Sequence, residues 1–348
     1  MTVSNHAQRA LRLKVDTQAL ANNWRVMDRL SGAAQAGAAV KADGYGLGID
    51  HVAPCLLDAG AQQFYVAHWS EVQPLLLHAP ADSISVLHGP VSSEDVIFAR
   101  ETGVRPVINS LYQARLWLDS GGGLCDLMVD TGINRLGLEM EDISAPLIRN
   151  LQIKTLMSHL ASADEDSAMN DRQLRRFRDV STVIPAQQRS LANSAGIALG
   201  ADYAFDQTRP GLALYGGVPR LELDGLIQQV AYPQSVVLQR RRVNAGESVG
   251  YNGSWTATQD TEAAVLAIGY ADGLLRCRAG STQIRFDGTE LPLLGKISMD
   301  MIVVDCSRCP SISEGDWVDI EQNLPSTAQK SGLSQYEILT MTGQRFRN

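Results

Sequence analysis

The sequence predicts a parallel (β/α)8 barrel of the TIM type, followed by a smaller and mainly antiparallel β domain. From about residue 12 to about residue 216, short apolar runs alternate with stretches of helical period, which is typical of a parallel sheet. Eight such runs recur at intervals of roughly 20 to 35 residues, and an eight-stranded barrel needs about 200 to 250 residues. After about residue 220 the chain becomes β-rich, with turns of Gly, Asn and Asp. We therefore expect a barrel over residues 1–225 and a C-terminal β domain over residues 226–348. A doubly wound open sheet is the alternative, but it would be unusually long.

The elements of the barrel follow from local hydrophobic patterns. Apolar residues at spacings of three and four predict amphipathic helices over 17–30 and 170–184. The predicted barrel strands are short apolar runs at 38–41, 64–68, 84–88, 105–109, 127–130, 154–159, 190–193 and 205–208. Helical patterning returns only near residues 325–331.

The composition restricts the class of partner. The chain has 348 residues and a formal net charge of −8, whereas nucleic acids and anionic membranes favour a basic surface. No uncharged run approaches the ~18 residues of a membrane span, and the first residues lack the apolar core of a secretory signal. We expect a cytoplasmic protein whose partner is a small molecule or another protein.

Two short motifs are better interpreted as structural. The five cysteines are expected to be free thiols, and Cys306-x-x-Cys309 lacks a second ligand pair for zinc, since no histidine follows His159. No metal site is expected. The segment 246–250, GESVG, matches a nucleophile elbow, but that motif also requires a later histidine. We expect a turn of the β domain there.

Lys41 is the most informative single residue. It ends the first predicted barrel strand, in the segment VKADGYGLG, and an unpaired ammonium buried in a parallel strand is costly. The side chain should therefore reach the C-terminal mouth of the barrel, where active sites lie. A desolvated lysine there is a competent Schiff-base nucleophile, although a lysine that reaches solvent at a strand end is the alternative.

The segment VKADGYGLG resembles the pyridoxal-phosphate lysine motif of alanine racemases, and six further blocks continue the family's pattern in order. These blocks are DTGINRLG at 130–137, SHLA at 158–161, ANSA at 192–195, RPGLALYG at 209–216, IGYADG at 268–273 and GKISMD at 295–300. Chance agreement of seven ordered blocks is negligible.

The resemblance implies a pyridoxal 5'-phosphate enzyme that interconverts L- and D-alanine and supplies D-alanine for cell-wall synthesis. It also implies a head-to-tail homodimer with shared active sites. Lys41 would hold the cofactor and act as one base, and the partner's Tyr270 would act as the other. Racemisation needs two bases because the α-proton leaves one face of a planar intermediate and is replaced on the opposite face.

The resemblance also implies how the cofactor is held. Arg209 would face the pyridine nitrogen, and an arginine cannot readily give that nitrogen a proton, which favours racemisation over transamination. His159 would connect Tyr270 to Arg209. The phosphate would lie among Tyr45, Ser194 and the backbone N–H groups of Gly211 and Leu212, close to Asn193.

Arg135 would contact the cofactor's phenolic oxygen and the substrate carboxylate, together with the backbone N–H of the partner's Met299. Two positions depart from the family. Met128 replaces a lysine, often carbamylated, that supports the arginine equivalent to Arg135. Gln344 aligns with a tyrosine that contacts the phosphate and narrows the pocket.

The departure at Gln344 leaves substrate range open, because one extra methylene or hydroxyl in a small apolar pocket changes binding by only ~1–3 kcal/mol. A racemase of broader or serine-directed specificity is the near alternative. A decarboxylase of the same architecture is disfavoured by the IGYADG block. A non-catalytic pyridoxal-phosphate carrier is disfavoured by the β domain after residue 220, since carriers resemble the barrel alone.

Overall fold

The computed structural model describes residues 9–346, except for the side chain of Gln344. Its contacts divide the described chain into two compact units. One unit contains residues 17–228, and the other contains residues 9–16 together with residues 229–346.

The strands and helices of the described residues are numbered in chain order. The strands are β1 (Leu11–Val15), β2 (Gln35–Ala36), β3 (Ala38–Ala39), β4 (Phe64–Val66), β5 (Ile84–Val86), β6 (Arg105–Ile108), β7 (Leu124–Met128), β8 (Gln152–Met157), β9 (Gln188–Ser190), β10 (Gln207–Thr208), β11 (Ala231–Val243), β12 (Ser248–Val249), β13 (Trp255–Thr256), β14 (Thr261–Leu266), β15 (Ile284–Phe286), β16 (Thr289–Glu290), β17 (Leu293–Leu294), β18 (Ile302–Asp305) and β19 (Trp317–Ile320). The helices are α1 (Thr17–Leu30), α2 (Lys41–Tyr45), α3 (Ile49–Ala59), α4 (Val72–Leu76), α5 (Ser93–Thr102), α6 (Leu111–Asp119), α7 (Pro146–Arg149), α8 (Ala168–Val183), α9 (Ser194–Ala198), α10 (Leu324–Ser331) and α11 (Gln335–Thr340).

The unit of residues 17–228 is a closed parallel barrel. Strands β3 to β9 pair in chain order, and β10 pairs in parallel with β2, which continues into β3 through Gly37. The Arg209 N–H donates to the Ala192 carbonyl at 2.8 Å, and the Gly37 N–H donates to the Thr208 carbonyl at 2.9 Å, so β10 closes the ring. The predicted barrel is confirmed. Each predicted strand region overlaps an observed strand, although β7, β8 and β9 begin two or three residues earlier than predicted.

Helix α1 has the bounds that the spacing of its apolar residues predicts. Leu20, Trp24 and Met27 are buried on one face of the helix. The indole N–H of Trp24 donates to the Gly37 carbonyl at 3.3 Å, which ties α1 to the first barrel strand. The second predicted helix is also present, as α8.

The other unit is built on an antiparallel sheet with the strand order β16-β15-β19-β11-β14-β18-β17. Its core is apolar, and it includes Val237, Leu266, Ile302 and Val318, all buried. The predicted antiparallel domain is therefore confirmed. In the segment GESVG, Gly246 lies in a turn, as expected, and Ser248 and Val249 form strand β12, which pairs with β13.

Strand β1 lies in this unit, although the sequence places the start of the chain with the barrel. It pairs antiparallel with β11, from Leu11 opposite Ser235 to Val15 opposite Ala231. Leu11 is buried in the core of the sheet unit. A five-residue strand with an alternating pattern does not identify its partner when that partner is so distant in the chain.

The five cysteines are free thiols, as expected. Within residues 9–346, no helix combines the length and apolar character needed to cross a membrane.

Candidate active site

Lys41 begins α2, which is a short turn and not a regular α-helix, at the carboxyl end of the first barrel strand. The strand ends at Ala39, and the backbone after Lys41 is left-handed at Ala42, Asp43 and Gly44, with φ of 54°, 55° and 63°. This conformation costs about 1 to 2 kcal/mol for each residue that has a Cβ. It persists only where surrounding contacts fix it, and such strain is concentrated at functional sites.

Glu71 supplies one of those contacts. Its Oε1 accepts a hydrogen bond from the Ala42 N–H at 2.6 Å. Its Oε2 accepts from the N–H groups of Ala67 and His68, at 2.7 and 3.1 Å. One carboxylate therefore joins the turn after Lys41 to the end of strand β4. Sequence reasoning did not identify Glu71, because a lone glutamate after an apolar run carries no local signal of such a contact.

The amine of Lys41 is tuned by its surroundings. Burial lowers the pKa of Lys41, the nearby Arg135 guanidinium lowers it further, and the Glu71 carboxylate raises it. Arg135 lies on a loop that Asp130 shapes: one carboxylate oxygen accepts from the Gly132 N–H at 2.7 Å, and the other accepts from the Arg135 N–H at 3.1 Å. A lysine with a lowered pKa is a better nucleophile and base near neutral pH.

Arg209 is a buried cation held by neutral acceptors. Its guanidinium donates to the hydroxyl of Ser190 and to the backbone carbonyl of Ser158. Burial lowers its pKa. An arginine nevertheless remains protonated in proteins, so this position carries a fixed positive charge.

His159 is partly buried beside these cations. Burial lowers its pKa to about 3, with further lowering by Arg209, Arg135 and Lys41. The imidazole is therefore neutral at physiological pH. The predicted residues Lys41, Arg135, His159 and Arg209 thus share one electrostatic environment at the carboxyl ends of the barrel strands.

The residues predicted to hold a phosphate also come together. The Ser194 hydroxyl accepts hydrogen bonds from the N–H groups of Gly211 and Ala213, at 2.9 and 3.2 Å. A Cβ on Gly211 would lie 2.2 Å from the Tyr45 hydroxyl, so only glycine allows this close approach. Leu212 follows Gly211 directly. The hydroxyls of Tyr45 and Ser194 therefore lie together beside the backbone of Gly211, whose N–H donates to Ser194.

Two further residues order this region. Asn193 caps helix α9, since its side-chain oxygen accepts from the Gly196 N–H at 2.8 Å. Tyr45 stacks on Tyr215, with ring centroids 4.5 Å apart, and the Tyr215 hydroxyl donates to the Ala39 carbonyl at 2.8 Å. Tyr215 was not singled out from the sequence, although it lies in the block RPGLALYG, which was the available signal.

Tyr270 and Met299 lie in the sheet unit, on two loops that are locked together. Tyr270 begins a 3-10 turn that ends at Asp272, and its N–H donates to the Ser298 carbonyl at 3.0 Å. The Ala271 N–H donates to the Met299 carbonyl, also at 3.0 Å. A Cβ on Gly269 would lie 2.3 Å from the Met299 carbonyl oxygen, so glycine is required at this contact.

Met128 and Gln344 are the two positions that depart from the family pattern. Met128 ends strand β7 and is buried, and its backbone carbonyl accepts from the Leu138 N–H at 2.8 Å. Its thioether carries no charge. The side chain of Gln344 lies outside the described residues.

Two family models together match nearly the whole chain. The model described as "Alanine racemase, N-terminal domain" matches residues 15–219, and the model described as "Alanine racemase, C-terminal domain" matches residues 230–348. The boundary between the two matches lies close to the boundary between the two structural units.

Curated relatives and solved structures agree with these matches. A catabolic alanine racemase of Agrobacterium fabrum is 39% identical, covering 96% of this chain and 90% of the relative. An alanine racemase of Dinoroseobacter shibae is 40% identical over 96% of each chain. The crystal structure of alanine racemase from Bartonella henselae with covalently bound pyridoxal phosphate has a TM-score of 0.88 and 33% identity, covering 97% of this chain and 99% of that one. The biosynthetic enzyme of Pseudomonas aeruginosa has a TM-score of 0.84 and 30% identity, covering 97% of this chain and 98% of its own.

Proposed function

Because this chain belongs to the alanine racemase family, we propose that it is a pyridoxal phosphate-dependent racemase that interconverts L- and D-alanine. The observation that carries the proposal is the position of Lys41. Its amine, with a lowered pKa, shares the carboxyl end of the barrel with the Arg135 and Arg209 cations and a neutral His159.

The residues present fit the cofactor. The hydroxyls of Tyr45 and Ser194 lie beside the backbone of Gly211, and hydroxyl and backbone N–H groups are donor types that bind a phosphate. Lys41 supplies the amine for covalent attachment, and Arg209 supplies a buried cation suited to the ring nitrogen. When bound, pyridoxal phosphate acts as an electron sink that acidifies the α-hydrogen of an amino acid.

The protein's own residues direct that chemistry toward racemisation. Lys41, held by the turn that Glu71 fixes, is positioned to take or return a proton at one face of the substrate. Arg209 keeps its own proton, which limits delocalisation into the ring and favours return of a proton to the α-carbon. Arg135 provides a planar donor for the substrate carboxylate.

The second base is proposed to be the partner's Tyr270, in a dimer whose sites are shared. His159 can form a hydrogen bond to its hydroxyl without adding positive charge, because the low pKa keeps the imidazole neutral. The N–H of the partner's Met299 would be the second donor to the substrate carboxylate.

Reduction with borohydride tests the role of Lys41. After reduction, mass spectrometry should find the pyridoxal group on Lys41, and Lys41→Ala should abolish both the label and racemisation. Lys154→Ala is the matched control, since Lys154 lies on barrel strand β8 and is also partly buried. A label fixed on another lysine would overturn the assignment.

Replacing the phenol tests Tyr270. The variant Tyr270→Phe should lose racemisation while it retains bound cofactor, because the barrel residues that hold the cofactor are unchanged. Unaltered turnover would refute the role of a second base.

A mixing experiment tests the shared site. Lys41→Ala and Tyr270→Phe should each be inactive alone. If sites are shared, random exchange of subunits should restore about a quarter of the wild-type activity, since half of the dimers are mixed and each has one intact site. No recovery despite demonstrated subunit exchange would exclude shared sites.

Substrate range is tested at Gln344. Wild type should be assayed on a panel of L-amino acids by loss of circular dichroism, with L-alanine expected to react fastest. Gln344→Tyr should narrow the range if glutamine widens the pocket, and an identical range would refute that idea. A protein that binds pyridoxal phosphate but racemises no amino acid would instead be a carrier.

The proposed role is to supply D-alanine for the cell wall from the cytoplasm. Expression should restore growth of a bacterial strain that requires D-alanine. Failure to restore growth, with activity demonstrated in extracts of the same cells, would contradict this role.

A further inference from the structure

Arg345 lies at the centre of an ion-pair cluster in the sheet unit. Its Nε is 2.7 Å from Oδ1 of Asp272, and its Nη1 donates to Oδ1 of Asp300 at 2.8 Å. Asp272 closes the turn that carries Tyr270, and Asp300 follows Met299 directly. One guanidinium thus bridges the turn and the loop that carry the two residues proposed for the second base and the second carboxylate donor.

We propose that Arg345 is a positioning residue, which holds the Tyr270 turn and the Met299 loop in the one arrangement that racemisation requires. This inference rests on the proposed function. Arg345 lies outside every sequence motif named above.

The contact with Asp272 is the important half of the bridge. The Asp272 side chain is fully buried, whereas the Asp300 side chain is half exposed. The other oxygen of Asp272, Oδ2, accepts from the Gly269 N–H at 3.0 Å and thereby fixes the start of the same turn. Exposed ion pairs contribute little, but a buried carboxylate that loses its cation must take up a proton or move.

The turn is also packed closely against residues 341–343, which limits any movement of Asp272. The Gly343 N–H donates to the Asp272 carbonyl at 3.4 Å, and a Cβ on Gly273 would lie 2.4 Å from the Met341 carbonyl oxygen. A shift of Asp272 would therefore be transmitted to Tyr270, two residues earlier. A misplacement of about 1 Å at a reacting group can reduce a rate by about 100-fold.

The variant Arg345→Met tests the proposal in the holoenzyme. We expect kcat for racemisation to fall by about 10- to 100-fold and KM to rise, because both Tyr270 and Met299 lose their fixed positions. Cofactor content should be unchanged, since Lys41 lies in the barrel unit. Arg285→Met is the matched control, because the Arg285 side chain is exposed to a similar extent as that of Arg345 and pairs with Glu321 at 3.1 Å in the same unit. The control should have nearly wild-type kinetics.

Exchange of the α-hydrogen with solvent deuterium separates positioning from general damage. Lys41 remains intact, so exchange of one enantiomer should persist while exchange of the other falls with racemisation. Arg345→Lys should recover part of the lost exchange. An equal loss for both enantiomers would indicate a merely structural role and overturn the proposal, and so would wild-type kinetics in Arg345→Met.

If Arg345→Met does not fold, Arg345→Lys and Asp272→Asn provide the same test. Each should show the unequal loss of exchange, and an equal loss in both would overturn the proposal. Failure of the proposed function is distinguishable, because the wild-type protein would then neither racemise nor exchange any amino acid.

Discussion

Protonation of His159 should limit the stability of the protein in mild acid. The pKa of this imidazole falls from 6.5 to about 3 in the folded state, because the side chain is partly buried and lies beside Arg209, Arg135 and Lys41. Between these two values the unfolded chain binds a proton that the folded chain excludes, so stability falls as the pH drops below 6.5. At pH 5 the deficit amounts to about 2 kcal/mol. Above pH 7 it is negligible.

Urea unfolding at pH 7 and pH 5 measures this effect. The wild-type protein should lose about 2 kcal/mol more than His159→Gln over this interval, because glutamine does not titrate. His51→Gln is the matched control, since His51 is an exposed histidine of helix α3 in the same unit, and it should behave as wild type. Equal losses in wild type and His159→Gln would refute the reasoning.

Three further substitutions test the region around the candidate cofactor site. Glu71→Gln should lower the free energy of unfolding by about 1.5–3 kcal/mol, because the charged acceptor of the Ala42 N–H is lost, and unchanged urea unfolding would contradict this. Ser194→Ala should weaken pyridoxal phosphate binding about tenfold, measured by spectroscopic titration, because the hydroxyl that orders the backbone of Gly211 and Ala213 is lost; equal affinity would show that the hydroxyl is dispensable. Gly211→Ala should displace the Tyr45 hydroxyl, which would lie 2.2 Å from the new Cβ, and should also weaken cofactor binding in the same titration; wild-type affinity would mean that the backbone shifts without penalty.

The features that could be predicted from the sequence were those encoded locally. Helix α1 was predicted with its observed bounds, because its buried face repeats at the spacing of a helix. Most barrel strands were located because they lie in short apolar runs between polar segments, whereas β9 and β10 consist of polar residues at the edges of such runs. The ends of the strands were less predictable. Lys41 was assigned to a strand that ends at Ala39, because the left-handed turn that follows is held by Glu71, which is distant in the sequence.

Some residues of the candidate site could be predicted from the sequence, and others could be found only from the fold. Lys41 was recognisable as an anomaly, and the ordered blocks of the family supplied the remaining residues. Glu71 and Arg345 were missed, because each acts through partners that only the fold brings close. The lowered pKa of His159 could not be predicted from the sequence either, because it depends on three cations that are distant in the chain.

Strand β1 gives the sheet unit an unusual dependence on the order of synthesis. The first strand made must wait for β11, which leaves the ribosome more than two hundred residues later, after the complete barrel. The barrel is thus an insertion between two pieces of one sheet. In a chain engineered to begin at Thr17, the edge of β11 that pairs with β1 would be left open, and open edges promote association between chains.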